Sequence, residues 1–359
     1  MVAPPRHSLS DTKRDIRKTG IHPDFWYPIA RSYQLKPGKT LAVSFAGEPI
    51  VLVRTHSGGL FALENRCAHR QVPLDTGVVG DNCLQCGYHG WTYKSDGKCM
   101  TVPYLPNQRD RPNGVRNYPC RDVYGLIFIF PGDPAQAETA QFPDLSNHYS
   151  PNYKTRNLDR KIECHYSFLH ENLMDMNHQF LHRRLMGGIK SIYLGQRLGD
   201  SWIEVDYTFK RVKGGQNWGE KFILQKTSQE RQQQSQGKRD LMTIRTDYPY
   251  QRLKFWTAGS KEPAMDLWIV YVPLDRQQRT NHTFGLMMIR RPNPKWLMEL
   301  LWPFIIRFTE GILAEDREIV EQEQQAFDRQ GADWNQEIFP VIRNVRDILI
   351  SQGLPLQTP

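Results

Sequence analysis

In the first third of the chain, short apolar runs alternate with turn formers. Residues 40–45 (TLAVSF), 50–54 (IVLVR), 60–63 and 126–130 (LIFIF) are rich in β-branched and aromatic side chains. Lys36-Pro37-Gly38, Gly47-Glu48, Gly58-Gly59 and Tyr124-Gly125 punctuate them. Runs of this length between such breakers predict strands. An all-β domain over residues 25–134 follows, closing at Pro131-Gly132-Asp133-Pro134. Residues 1–24 are polar, basic and proline-containing, which predicts a loosely held arm.

Beyond residue 134 the pattern mixes. Residues 166–185 have helical character, strand-like runs follow at 202–209, 221–224, 241–246, 253–256, 267–272 and 283–289, and 296–325 again predicts a helix, with a bend at Pro303. Residues 225–240 (QKTSQERQQQSQGKRD) hold almost no apolar side chain and predict a solvated loop. The chain therefore reads as α+β, an all-β domain followed by a mixed one over 135–359. Its 359 residues suit two domains at about 150 residues each.

Composition changes this picture mainly by exclusion. Lysine and arginine total 47 against 38 acidic residues, a net charge of +9. The positive charges are spread along the chain with no helix-turn-helix, zinc-finger or RNA-binding signature beside them, so a solvated basic surface is expected and nucleic acid is not. No apolar run approaches the ~20 residues of a membrane-spanning helix, although contact with a membrane surface stays open. The N-terminus has no hydrophobic signal core, which predicts a cytoplasmic protein. Six cysteines in a chain of this length make no disulfide scaffold.

The cysteine spacing carries chemistry. Cys67-x-His69 is followed, after sixteen residues, by Cys86-x-x-His89. Two hooks with one Cys and one His each can present four ligands to one site, and zinc and an iron–sulfur cluster are the two occupants to weigh. Common zinc fingers place a Cys pair on one element and a His pair on a helix, unlike these hooks. A Rieske 2Fe-2S cluster, with two Cys on one iron and two His on the other, fits them better. Gly87 and Gly90 would let the second hook approach the cluster closely. Cys83, Cys99, Cys120 and Cys164 read as structural, the last three as small buried hydrophobes.

WYPIA at Trp26–Ala30, NRCAHRQVPL at Asn65–Leu74 and CGYHGWTY at Cys86–Tyr93 resemble the N-terminal domain of Rieske non-haem iron oxygenases. In that family Cys67 and Cys86 would hold one iron, and His69 and His89 the other.

A second constellation lies within ENLMDMNHQFLH, residues 171–182. On a helix His178 and His182 are four apart and share a face, so both rings could grip one metal, while Asp175 could orient a ligating histidine. The same pattern is common in solvated or core histidines. The resemblance strengthens it: the family follows its cluster domain with Asn-x-x-Asp-x-x-His-x(3–5)-His, here Asn172, Asp175, His178 and His182. A distant Asp completes a two-His-one-carboxylate site for Fe(II) that leaves positions open for oxygen. Many relatives carry x4 between the histidines where this chain has x3. His170 is a fallback ligand, and His165 lies nearby without fitting the motif. Asp316, followed by Glu321, resembles the family's distal carboxylate, with Glu315 as the alternative.

The resemblance implies a helix-grip catalytic domain, a curved antiparallel sheet around a long helix with a largely apolar pocket. Leu173, Met174 and Phe180 are candidates for its wall. It implies a homotrimer in which the cluster of one subunit serves the iron of its neighbour through His89, Asp175 and His178, with Asp175 and Asn172 in catalytic roles. It also implies O₂, a reductase or ferredoxin fed by NAD(P)H, and a hydrophobic ring-containing substrate that is hydroxylated or oxidatively demethylated. The basic surface suits an acidic donor. The rival function is a non-catalytic Rieske electron carrier with a ligand-binding second domain.

Overall fold

Strand-forming runs of the first third pair into three small antiparallel sheets. In this computed structural model, which describes residues 15–107, 111–213, 230, 232, 237 and 239–356, Lys39–Phe45, Glu48–Arg54 and Leu60–Glu64 form a sheet with Asn117–Tyr118. Tyr27–Arg31 pairs with Leu126–Ile129, itself paired with Cys120–Val123. The third sheet, Val78–Val79, Cys83–Gln85, Thr92–Lys94 and Cys99–Thr101, carries the second Cys/His hook. It packs a small core of its own, with Val51, Phe61, Leu63, Leu74, Leu84 and Tyr93 around Cys67 and Cys86.

The mixed domain is one seven-stranded antiparallel sheet. Its order is Tyr153–Ile162, Asn281–Arg290, Met265–Pro273, Tyr250–Trp256, Leu241–Asp247, Trp202–Lys213 and Gly188–Leu198. Register shifts at Gly188/Ile189 and Tyr193/Gly195 put bulges in the last pair, a feature that bends strands. The helices Tyr166–Met174, Leu297–Gln330 and Pro340–Gln352 pack on the sheet and on one another. This is the α+β, helix-grip arrangement.

The two parts share one core. Trp26, Tyr27, Phe128 and Phe130 pack with Tyr250 and Trp268 of the large sheet. Arg31, 1% exposed, crosses from the first domain to the Asp159 carboxylate at 3.2 Å and to the carbonyls of Leu158 and Gly285. A buried guanidinium needs such partners, because an unpaired charge there would cost several kcal/mol.

Four expectations need correction. Residues 15–24 are not loosely held: Arg17 is buried, donates to Glu171 Oε1 at 2.6 Å and lies 3.5 Å over the Phe168 ring, and Thr19–Gly20 pairs with Leu354–Pro355. The polar composition that suggested an arm instead supplies a charge the core can pair. Residues 166–185 are not one helix. The helix ends at Met174, a 3₁₀ turn covers Met176–Phe180, and a four-residue helix covers Arg183–Met186. The Asp175 carboxylate accepts the Asn177 amide at 2.8 Å and caps the new turn, which competes with continuing the helix. The last long helix runs on through Pro303 to Gln330 and ends at Gly331, whose φ of 72° favours glycine. Finally, strands at Tyr153–Ile162 and Gly188–Leu198 and the helix Pro340–Gln352 emerge where none was expected. The expected strand at 221–224 and most of the glutamine-rich stretch, like residues 1–14 of the arm, lie outside the described residues.

Candidate metal centres

Each Cys/His hook is a loop closed by its own backbone. The Cys67 amide donates to Val72 O at 2.8 Å, and Gln71 N returns to Cys67 O at 2.9 Å. In the second hook, Cys86 N donates to Trp91 O at 2.8 Å and Gly90 N to Cys86 O at 3.1 Å, with Gly90 at φ +71°, where a side chain would be strained. Both cysteines are buried and in mutual hydrogen-bonding reach, and both histidines are half-buried, so the ligand set runs from thiols inside to imidazoles at the surface. The His69 and His89 rings meet edge to face at 4.6 Å, and His69 stacks flat on Trp91 at 4.8 Å.

His69 Nδ1 is buried without a hydrogen-bond partner among the described residues. Burial pushes the Cys86 thiol up, aided against local backbone donors by its neighbour Cys67. An orphaned ring nitrogen and two adjoining thiols are what a two-Cys, two-His cluster would use, with proton release on loading.

Tyr93, which carried no assigned role in the sequence, belongs to this site. Its hydroxyl accepts the Ala68 amide at 3.0 Å and lies 3.1 Å from Cys67 Sγ, so its own proton points at the sulfur. Strand alternation puts Trp91 and Tyr93 on the same side, which is the signal that could have found it. A donor to a ligating sulfur stabilises the more negative, reduced state. Tyr93→Phe is expected to lower the cluster's midpoint potential by about 50 mV, one hydrogen bond strengthened by ~1 kcal/mol in a one-electron couple. An unchanged potential in a redox titration would dismiss this donor.

The second site forms where helix and turn meet the long helix. His178 comes from the 3₁₀ turn, His182 precedes the short helix, and Asp316 projects from Leu297–Gln330. His182 Nε2 is 3.3 Å and His178 Nε2 3.9 Å from Asp316 Oδ1, and one donor atom from each residue lies within 4.8 Å of the others. The x3 spacing therefore works without a continuous helical face, because the chain breaks and re-forms between the histidines.

Surrounding groups aim these three. Asn172 Nδ2 donates to Asp316 Oδ1 at 3.1 Å, and Glu315 Oε2 meets His182 Nδ1 at 2.9 Å. Glu315 thus stands on the far nitrogen of His182, away from the shared Asp316 contact. Burial lowers the His178 pKa against the pull of Asp316. At His182 burial also works against charge, but Asp316 and Glu315 outweigh it and the pKa is raised. His178 Nδ1 is buried without a partner among the described residues. Two imidazoles and a carboxylate, with one ring held by a second carboxylate, suit a mononuclear iron.

Other candidates fall elsewhere. His165 and His170 are buried in the core among Tyr166 and Tyr271, apart from the three-residue site, so His170 is no fallback ligand. Asp175 is half-buried, and its carboxylate accepts the capping bond from the Asn177 amide rather than a bond from the His178 ring. Of the expected pocket wall, Met174 is fully buried in the core, Leu173 packs partly against it, and Phe180 is 65% exposed beneath the Arg183 guanidinium. Phe180 leaves the interior because the turn at Asp175 rotates it outward.

Glu315→Gln tests the aiming. The amide keeps a hydrogen bond but loses the charge that fixes the His182 ring, so iron affinity at this site is expected to fall about 10- to 100-fold. Ferrous-ion titration of the wild-type and variant proteins measures it, and equal affinities would leave Glu315 without a role.

Known proteins match both parts of the chain. Residues 25–119 match the Rieske [2Fe-2S] domain, and residues 162–340 match the vanillate O-demethylase oxygenase C-terminal domain. The chain is 31% identical over 338 residues to a 4β-methylsterol monooxygenase of Methylococcus capsulatus, an alignment covering 88% of this chain and 84% of the relative. It is 35% identical over 159 residues to the dicamba O-demethylase oxygenase component of Stenotrophomonas maltophilia, covering 44% and 47%. The solved structure of dicamba monooxygenase bound to dicamba superposes with a TM-score of 0.69 over 91% of this chain at 22% identity, a likeness of fold.

Fold and relatives together define an iron-dependent oxygenase class. The chain belongs to the Rieske non-haem iron oxygenases, an enzyme family rather than one of simple electron carriers. Its cofactors are a Rieske 2Fe-2S cluster and a mononuclear iron, with NAD(P)H acting through a reductase. Among the described residues no helix is long and apolar enough to cross a membrane.

Proposed function

We propose that Cys67, His69, Cys86 and His89 hold the cluster, that His178, His182 and Asp316 hold the ferrous ion, and that the enzyme monooxygenates a carbon of a large hydrophobic ring compound. The observation that carries the proposal is the convergence of His178, His182 and Asp316 in the same chain as the four-residue hook pair. When bound, the cluster supplies electrons singly and the ferrous ion the reductive activation of O₂.

The chain's own residues prepare the ferrous site. Asn172 donates to Asp316 Oδ1, the oxygen that also faces both histidine Nε2 atoms, and so holds the carboxylate in its ligand orientation. Glu315 keeps the His182 Nδ1 proton in place, so that Nε2 faces the metal. Gly311 of the long helix faces the segment after the histidines, with a Leu185 methyl 2.9 Å from where a Cβ would stand. The family resemblance would place Asp175, half-buried at the start of the turn, at the contact between subunits of a trimer.

A sterol-like or comparably large ring substrate is favoured by a relative that aligns along 88% of the chain, a 4β-methylsterol monooxygenase. A cytoplasmic site of action with a ferredoxin or reductase as donor accords with the six free thiols and the net charge of +9.

Iron and acid-labile sulfide per chain, measured after anaerobic reconstitution, test the assignment. About three iron and two sulfide are expected. Substrate-dependent O₂ uptake is then followed over a panel of sterols and methoxylated aromatics. About two of each would leave only the cluster and return the electron-carrier function.

A further inference from the structure

The start of the long helix presents an apolar stripe to solvent. Met298, Leu301, Ile305 and Phe308 are buried, and the opposite side carries Trp296 at 65%, Leu300 at 61% and Phe304 at 49% exposure. With Pro303 and Arg307, also exposed, these positions recur at helical spacing and form one face. Single exposed apolar residues are ordinary, but a contiguous aromatic and aliphatic stripe marks a contact surface.

The charge around the stripe selects its occupant. Glu299 and Glu310 are each held by two cations, Lys154 with Arg291 and Arg156 with Arg160. Lys295 reaches only Pro151 O and the Asn152 side chain, and Arg307 has no carboxylate partner among the described residues. The face is therefore apolar along its middle and positive at both ends. A second copy seated with the same stripe would set its own Lys295 and Arg307 against these two cations. A tryptophan at the helix start, aliphatic and aromatic residues below it and basic flanks are the composition of a helix lying in the headgroup layer of an anionic bilayer.

We propose that Trp296–Arg307 is a peripheral docking surface for anionic membranes, with Trp296 and Leu300 entering the interface and Lys295 and Arg307 meeting lipid phosphates. Such docking would bring the enzyme to the phase in which poorly soluble ring compounds reside. It does not depend on the proposed substrate, because the contact is read without one.

The test is flotation of the full-length, cluster-loaded protein with vesicles of phosphatidylcholine alone or mixed with phosphatidylglycerol. Binding is expected only to the anionic vesicles and should weaken with added salt. The double variant Trp296→Ser, Leu300→Gln should lower the partition coefficient about tenfold or more, as expected for withdrawing two large apolar side chains. Lys295→Glu with Arg307→Glu should abolish the preference for anionic lipid. Absence of wild-type binding, or undiminished binding by either variant, overturns the proposal. Loss of wild-type oligomeric mass in the apolar variant, read by sedimentation velocity without vesicles, would assign the stripe to a subunit contact and overturn it too. Should the apolar variant fail to keep the cluster's visible absorbance, the charge variant decides alone.

Discussion

Asp316→Ala is expected to reduce iron from about three to about two per chain while leaving sulfide at about two, and to abolish substrate-dependent O₂ uptake. The side chain lies in contact range of both His178 and His182, and Asn172 spends its amide on it, so nothing nearby replaces it. Glu315 stays bonded to the other nitrogen of His182 and cannot turn to the vacated position without releasing that ring. The cluster, in a separate sub-core, should keep its visible absorbance and potential. Retention of three iron and of turnover would move the carboxylate role to Glu315.

The second large effect is on stability in acid. His165 and His170 are 2% and 1% exposed, and His165 Nε2 and His170 Nδ1 have no hydrogen-bond partner among the described residues. Burial drives the pKa of His170 down to about 3 and that of His165 well below its ordinary value, with Arg17 adding repulsion at His165. In the unfolded chain both would titrate near ~6.5. Below that pH the unfolded state takes up protons that the folded state refuses. The stability is therefore complete above about pH 6.5 and is lost as pH falls toward the folded values. At pH 5 His170 removes about 2 kcal/mol, and His165 acts in the same direction. Thermal midpoints measured from pH 7.5 to 5 should fall steeply, and His170→Leu, close in volume, should remove the His170 share of that fall. Parallel curves for wild type and variant would show that His170 does not titrate on unfolding.

Several elements were legible because their signal is local. The first-domain strands 39–45, 48–54 and 126–129 follow from apolar runs between turn formers, and the central strands of the large sheet from Met265–Pro273 and Asn281–Arg290, almost wholly buried. The two strands that escaped notice are the sheet's edges. Tyr153–Ile162 carries Lys154, Arg156, Asp159, Arg160 and Lys161, and Gly188–Leu198 is largely half-exposed. An edge strand with a wet face loses the apolar alternation on which periodicity depends.

The candidate sites divide the same way. Cys67 with His69 and Cys86 with His89 sit in hooks a few residues long, so the backbone alone nearly fixes each pair, and the sequence by itself determined the ligand types and the family they resemble. Asp175 shows the limit: its side chain can orient a histidine on a helix or cap a turn, and packing selected the cap. The separation of Glu315 from Asp316 belongs wholly to the tertiary structure. Neighbours on one helix, they project about 100° apart, and only the docking of that helix against His182, over a hundred residues earlier, puts one carboxylate on each nitrogen of the same ring.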